Sequence, residues 1–187
     1  MGTVPVFSHR EPLTRRDLES IADEDRRYEL VDGVLLVSPS PRPLHQRVVA
    51  RVLAAISSGC ARDYETLPAP VDVVLSDHTV LIPDVVVGRR TDYTERALVG
   101  VPVLAVEVIS PSSRLVDTRL KRAKLQEAGC PHYWIIDPVV PSLQCLSLRD
   151  GQYVTVAEGI DDTPITTTQP FLVSLNPAEL VADYLKD

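Results

Sequence analysis

Lysine is almost missing from this chain: three stand against 16 arginines in 187 residues. Cysteine is just as sparse. Cys60, Cys130 and Cys145 are odd in number and far apart, without disulfide-framework or metal-ligand spacing. They read as reduced thiols of a cytoplasmic protein. Long apolar runs are absent too. The longest uncharged one, ALVGVPVLAV, is closed by Glu107 well short of the ~18 residues that would cross a bilayer, so no membrane partner is expected. The N-terminal stretch MGTVPVFSHREPLTRR has no apolar h-region, so no secretory signal is expected. No repeat, low-complexity tract, linker, zinc-finger spacing or helix-turn-helix signature interrupts the chain. A net charge of −7 disfavours a general nucleic-acid binder. The acidity is local, however: residues 150–187 carry seven acids and one lysine, leaving the remainder near neutral and able to present a basic face.

What is present reads as one α/β domain over residues 1–187, with a mixed sheet flanked by helices. Its core spans about 14–155, and residues 156–187 form an acidic hairpin-and-helix extension. Thr14 and Asp17 make a capping box for a helix predicted to reach Asp25. In YELVDGVLLV, Asp32-Gly33 suits a two-residue hairpin turn. His45 to Ser57 has helical apolar spacing, with Gly59 just past its end. VDVVL and TVLIPDVVV read as two paired strands, Pro83 marking an edge or bulge. VPVLAVEVIS is apolar enough for a central strand covered on both faces. A helix predicted over Arg114 to Ala128, with Gly129 as its C′ residue, would return the chain to a parallel neighbour, HYWIID. LQCLSL and QYVTV form a late hairpin, and NPAELVADYL a closing helix.

Two of these strands each carry an acid where burial is expected. An ionised carboxylate in an apolar interior costs several kcal/mol unless it is paired, hydrogen-bonded or bound to a metal. Asp84 and Glu107 admit two readings: separate structural pairings, or convergence on one divalent cation such as Mg²⁺, which takes one or two carboxylates. Downstream, Asp117, Lys121 and Lys124 share a helical face. Two of the three lysines fall here, in a sequence that elsewhere uses arginine, and a compact point charge is one reason to choose lysine. A solvated i,i+4 ion pair is the other.

IPDVVV, LAVEVISPSS, the D-x-x-x-K of Asp117 and Lys121, AGCPHYWIIDP and the upstream RRYELVDGVLLVSPSPRPLH together resemble the PD-(D/E)XK nuclease superfamily, in particular its Uma-type branch of restriction-endonuclease-like proteins. The similarity runs from about Arg26 to Tyr153. It implies a restriction-endonuclease-like mixed sheet and Mg²⁺-dependent hydrolysis of a DNA phosphodiester, with Mn²⁺ as substitute and no organic cofactor. By position it assigns metal ligation to Asp84 and Glu107, the catalytic lysine to Lys121, an additional acid to Glu29 and a recurring histidine to His45. Asp117 would hold the Lys121 ammonium. The superfamily's usual lysine, two residues after the strand glutamate, is here Ile109; the branch carries it on the following helix. A usual tyrosine is Leu125, and GVPEYW reads GCPHYW.

DNA would be held by Arg114, Arg119, Arg122 and Lys124 along one helix, and by Arg47, with Arg42 and Arg51 near it. Such contacts give affinity without sequence information. The apolar C-terminal half suggests a homodimer. A catalytically silent nuclease-fold protein binding nucleic acid or a protein partner is the competing reading.

Overall fold

The computed structural model describes residues 11–21, 26–111 and 113–182. Two sheets stack around a shared core. The larger has six strands in the order β11-β10-β9-β8-β6-β3. These are β3 (Tyr64–Pro68), β6 (Val85–Arg89), β8 (Leu104–Val108), β9 (His132–Asp137), β10 (Ser142–Arg149) and β11 (Gln152–Ile160). The smaller runs β2-β1-β5-β4-β7, from β1 (Arg27–Val31), β2 (Val34–Ser38), β4 (Asp72–Ser76), β5 (Thr79–Leu81) and β7 (Ala97–Val99). β12 (Ile165–Thr167) and β13 (Val173–Leu175) form a separate hairpin. Among the described residues, only β8–β9 and β4–β7 pair in parallel, so both main sheets are mixed.

The local signals act where they are expected. Asp32 and Gly33 turn the first hairpin with φ of 49° and 78°. A Cβ on Gly33 would meet Pro12 Cβ at 2.3 Å, so glycine is required on two counts. Thr14 and Asp17 close their capping box on α1 (Arg15–Glu19). That helix is shorter than predicted, and residues 22–25 lie outside the described residues. α2 (Pro43–Gly59) starts at Pro43 and keeps Gly59 inside rather than after it. Val48, Val52 and Ile56 recur at four-residue spacing and bury on the larger sheet with Val85, Val87, Leu104, Val106 and Trp134. α4 (Pro177–Val181) is capped by Asn176. Its Leu180 and Val181, with Ile165, Val173 and Leu175, enter the same core, so residues 165–181 pack into the domain; the end of the predicted closing helix, residues 183–185, lies outside the described residues. All three cysteines are free, two of them buried. Among the described residues no helix is long and apolar enough to cross a membrane.

Two further expectations need correction. TVLIPDVVV is not one strand. β5 ends at Leu81 in the smaller sheet, Ile82-Pro83-Asp84 crosses over, and β6 begins at Val85 in the larger sheet. Proline supplies no ladder donor, so the pairing breaks there. The helix predicted over Arg114 to Ala128 is also irregular. Arg114 and Leu115 start it, Val116–Lys121 form a π-helical turn, and α3 (Arg122–Glu127) continues to Gly129 (φ 84°). The two lysines, three residues apart, part in burial. Lys121 is 3% exposed, whereas Lys124 ion-pairs with Asp32 and Glu127 at the surface. β3, an edge strand whose side chains are mostly half-buried, has no clear sequence pattern and escaped prediction.

Candidate active site

β8 alternates its faces strictly. Leu104, Val106 and Val108 point to the α2 side, while Ala105 and Ile109 join Leu125, Cys130 and Tyr133 on the side facing α3 and the smaller sheet. Glu107 belongs to this second face. β6 pairs with β8 in antiparallel register, Val85 opposite Val106. Continuing that register by one residue sets Asp84 opposite Glu107. Directly opposed residues share a face with Cβ atoms roughly 5 Å apart. The crossover that breaks the strand at Pro83 thus delivers Asp84 beside Glu107.

Asp84 is 3% exposed and surrounded by donors. Arg27 Nη1 donates to Oδ1 at 3.0 Å and the Val108 N–H to Oδ2 at 2.9 Å; His45 Nε2 lies 3.1 Å from Oδ2. Burial pushes its pKa up, but the His45 contact and charge, Arg27 and the Val108 N–H outweigh burial and hold it down to about 2. The histidine shifts the opposite way: burial lowers its pKa, and the hydrogen bond and charge of Asp84 raise it on balance.

Lys121 is the centre of a second cluster. Its Nζ lies 2.9 Å from Glu29 Oε1, 3.1 Å from Glu107 Oε1 and 3.5 Å from Asp117 Oδ1. All four side chains are buried. Glu29 Oε1 also accepts the N–H of Ile82 at 2.7 Å, which anchors the crossover to β1. Tyr133 Oη donates to the carbonyl of Asp117 at 2.8 Å and pins the π-helical turn to β9. Such turns recur at functional sites because the extra residue re-aims side chains. Burial would lower the lysine pKa, but Glu107, Glu29 and Asp117 raise it. Glu107 titrates well above the usual carboxylate range, first through burial and then through Asp117, Asp84 and Glu29, against the lowering by Lys121. Asp117 is raised by burial in the same way. Three acids thus crowd one ammonium.

Both clusters open onto one cavity of about 630 Å³. Arg27, Arg42, His45, Asp84, Glu107, Asp117 and Lys121 line it, under a rim that includes the proline-rich loop 38–42 and Val139. The structure therefore brings Asp84, Glu107, Lys121, Glu29, His45 and Asp117 together. It leaves most of the predicted arginines outside. Arg119 is exposed and Arg47 and Arg122 are half-buried. Arg114 donates to Asp137 Oδ2, and Arg51 to the carbonyls of Glu179, Leu180 and Ala182. His45 meets Asp84. Sequence reasoning missed Arg27. Its signal was there: Arg27 stands two residues before Glu29 on one strand, hence on the same face.

Among the described residues, no group of three or more His, Cys, Asp or Glu is arranged to hold a metal ion. The opposed carboxylates Asp84 and Glu107 are a two-acid, all-oxygen donor set. That set fits Mg²⁺ or Mn²⁺, hard cations that use one or two carboxylates and keep several waters.

The Uma2 family, described as "Putative restriction endonuclease", matches residues 15–176. No curated protein matches the chain. Among solved structures, the crystal structure of "a putative nuclease belonging to DUF820" from Anabaena variabilis ATCC 29413 aligns with a TM-score of 0.71 and 17% identity, over 91% of this chain and 98% of that one. At that identity the likeness is one of fold.

Proposed function

Because the chain belongs to the Uma2 family of restriction-endonuclease-like proteins, we propose that it is a Mg²⁺-dependent DNA endonuclease, active as a cytoplasmic homodimer. The observation that carries this is the opposition of Asp84, just before β6, and Glu107 on β8, at a cavity that Lys121 also lines. A divalent cation bound there would lower the pKa of a water and polarise the phosphoryl oxygens. The chain's own residues do the rest. Asp84, ionised at any physiological pH, and Glu107 hold the cation. Lys121, clamped by Glu29 and Asp117, presents a preorganised positive charge toward the phosphate as negative charge develops. Glu29 fixes that ammonium and the crossover loop together, and His45 orients Asp84. Arg42 at the cavity, and Arg47, Arg114, Arg119 and Arg122 outside it, supply phosphate contacts along the DNA backbone. Lys124, tied to Asp32 and Glu127, contributes least.

Calorimetric titration of Mn²⁺ into the metal-free protein, followed by nicking of supercoiled plasmid, tests the reading. Binding and nicking that vanish in both Asp84→Asn and Glu107→Gln support it; a wild-type protein that binds no Mn²⁺ sinks it. That second outcome would favour a silent nuclease-fold protein. This alternative draws on the saturation of the site, where Asp84 already has three donors and Lys121 three acids. Two subunits would let each site cut one strand. Val154, Val156 and Ile160, exposed on the outer strand β11, offer apolar surface for dimerisation. Light scattering that shows a monomer at micromolar concentration would rule the dimer out.

A further inference from the structure

Arg27 is the cavity residue whose pairing conflicts with the proposed chemistry. Its guanidinium donates to Oδ1 of Asp84, the oxygen left over once Val108 N–H and His45 have engaged Oδ2. A cation shared by Asp84 and Glu107 needs an oxygen of Asp84, and Oδ1 has the claimant that can leave. The Val108 N–H belongs to the sheet and cannot move away. His45 is packed at the start of α2, its side chain only 12% exposed. Arg27 is a long side chain on the strand face that fronts the cavity, 21% exposed and ion-paired to Asp84.

We propose that Arg27 holds the place of the cation at Asp84 in the metal-free protein and, displaced by it, becomes the residue that contacts the substrate phosphate. Three physical points support this, and all rest on the nuclease reading. A guanidinium and a divalent cation at one carboxylate repel each other, so the two occupancies exclude one another. A displaced arginine inside a partly buried cavity needs another anion, because an unpaired charge there is costly. Asp84 is shared out by then, and Glu29, Glu107 and Asp117 are committed to Lys121. The remaining anion is the phosphodiester itself, whose geometry the planar guanidinium fork matches. Arginine at this position therefore does two jobs: it neutralises a buried carboxylate before the metal arrives, and it binds phosphate afterwards.

The test compares wild type, Arg27→Gln and Arg27→Lys. Mn²⁺ affinity is read as the rise in melting temperature per concentration of added Mn²⁺, which remains readable if a variant starts less stable. Arg27→Gln removes the competitor, so it should bind Mn²⁺ about 10-fold more tightly than wild type while plasmid nicking at saturating Mn²⁺ falls about 10²-fold. Arg27→Lys keeps the charge and should restore the wild-type Mn²⁺ affinity and part of the nicking rate. A purely structural arginine would give equal or weaker Mn²⁺ binding in Arg27→Gln, and that result overturns the inference while leaving the nuclease reading in place. Unchanged nicking in Arg27→Gln overturns the phosphate role. No Mn²⁺ binding by wild type overturns both the nuclease reading and this inference.

Discussion

Asp84 and Glu107 face each other across two strands, line one cavity and are almost equally buried, yet their protons behave in opposite ways. Asp84 is surrounded by donors: a guanidinium, an imidazole and a backbone N–H. Glu107 shares a single ammonium with Glu29 and Asp117. Burial pushes both up; only Asp84 has enough donors to come out at about 2, and Glu107 ends well above its usual range. Depth does not decide the charge of a buried acid. The count of donors against acceptors in contact with it does. One half of the cavity is rich in positive charge and the other in negative, and an arriving cation would relieve the second while competing in the first.

The largest break in that contrast should come from Lys121→Met. Three buried acids would lose their shared ammonium, and removing one partner of a buried charge cluster costs about 3–5 kcal/mol. Urea unfolding at pH 7 should show the loss, and added Mn²⁺ or a lower pH should restore part of it. Nicking should fall by about 10²-fold or more, the scale of one lost transition-state charge contact. A variant as stable as wild type would mean that the acids around Lys121 are already neutral.

A smaller effect separates the two carboxylates themselves. Asp84→Asn leaves Arg27 and His45 against a neutral amide and should destabilise the metal-free protein by roughly 2 kcal/mol, the scale of hydrogen bonds to a charged group. Glu107→Gln removes one of three crowded acids and should leave the metal-free stability equal or higher. Equal losses in thermal melts of the two variants would erase the proposed asymmetry.

The pH dependence of stability should divide along the same line. Asp84 has a folded pKa of about 2, below its unfolded value of 3.8. Its contribution is therefore present above about pH 4 and disappears as pH falls toward 2. Asp84→Asn should flatten that acid limb in chemical denaturation. Glu107 is raised, so it stabilises the fold at low pH and costs stability as pH rises through its folded value; Glu107→Gln should flatten that alkaline-side loss instead. Identical profiles for the two variants would contradict the assignment.

The smallest change belongs to Lys124→Ala. Its partners Asp32 and Glu127 are exposed, and such surface pairs contribute about 0.2–1 kcal/mol. Nicking should stay within roughly twofold of wild type. Loss of activity comparable to Lys121→Met would make Lys124, not Lys121, the catalytic lysine.

Much of this was legible in one dimension. The Asp32-Gly33 turn, the Thr14–Asp17 box, the apolar spacing of α2 and the β8–helix–β9 order all depend on residues within one element or its neighbour. The acids Asp84 and Glu107 stood out because each interrupts an apolar run. The limits were equally physical. Pro83 announces a break in pairing but not which sheet receives each side of it. Lys121 and Lys124 occupy the same face of a regular helix, and the π-helical turn that ends at Lys121 is held by Tyr133, 16 residues from Asp117. Arg27 carries no mark of its own beyond its spacing from Glu29.

By itself, then, the sequence determined which acids had to be accounted for, which residues turn the chain, and which runs go inside, because hydrophobic period, turn chemistry and capping act over a few residues. Only the tertiary structure decided that Asp84 lies with Arg27 and His45 while Glu107 lies with Lys121, and hence that the pKa of one acid is pulled down and that of the other pushed up. Those partners come from β1, α2, the crossover and the π-helical turn. Electrostatic energy depends on distances of about 3 Å between groups as many as 57 residues apart, and no local pattern encodes them.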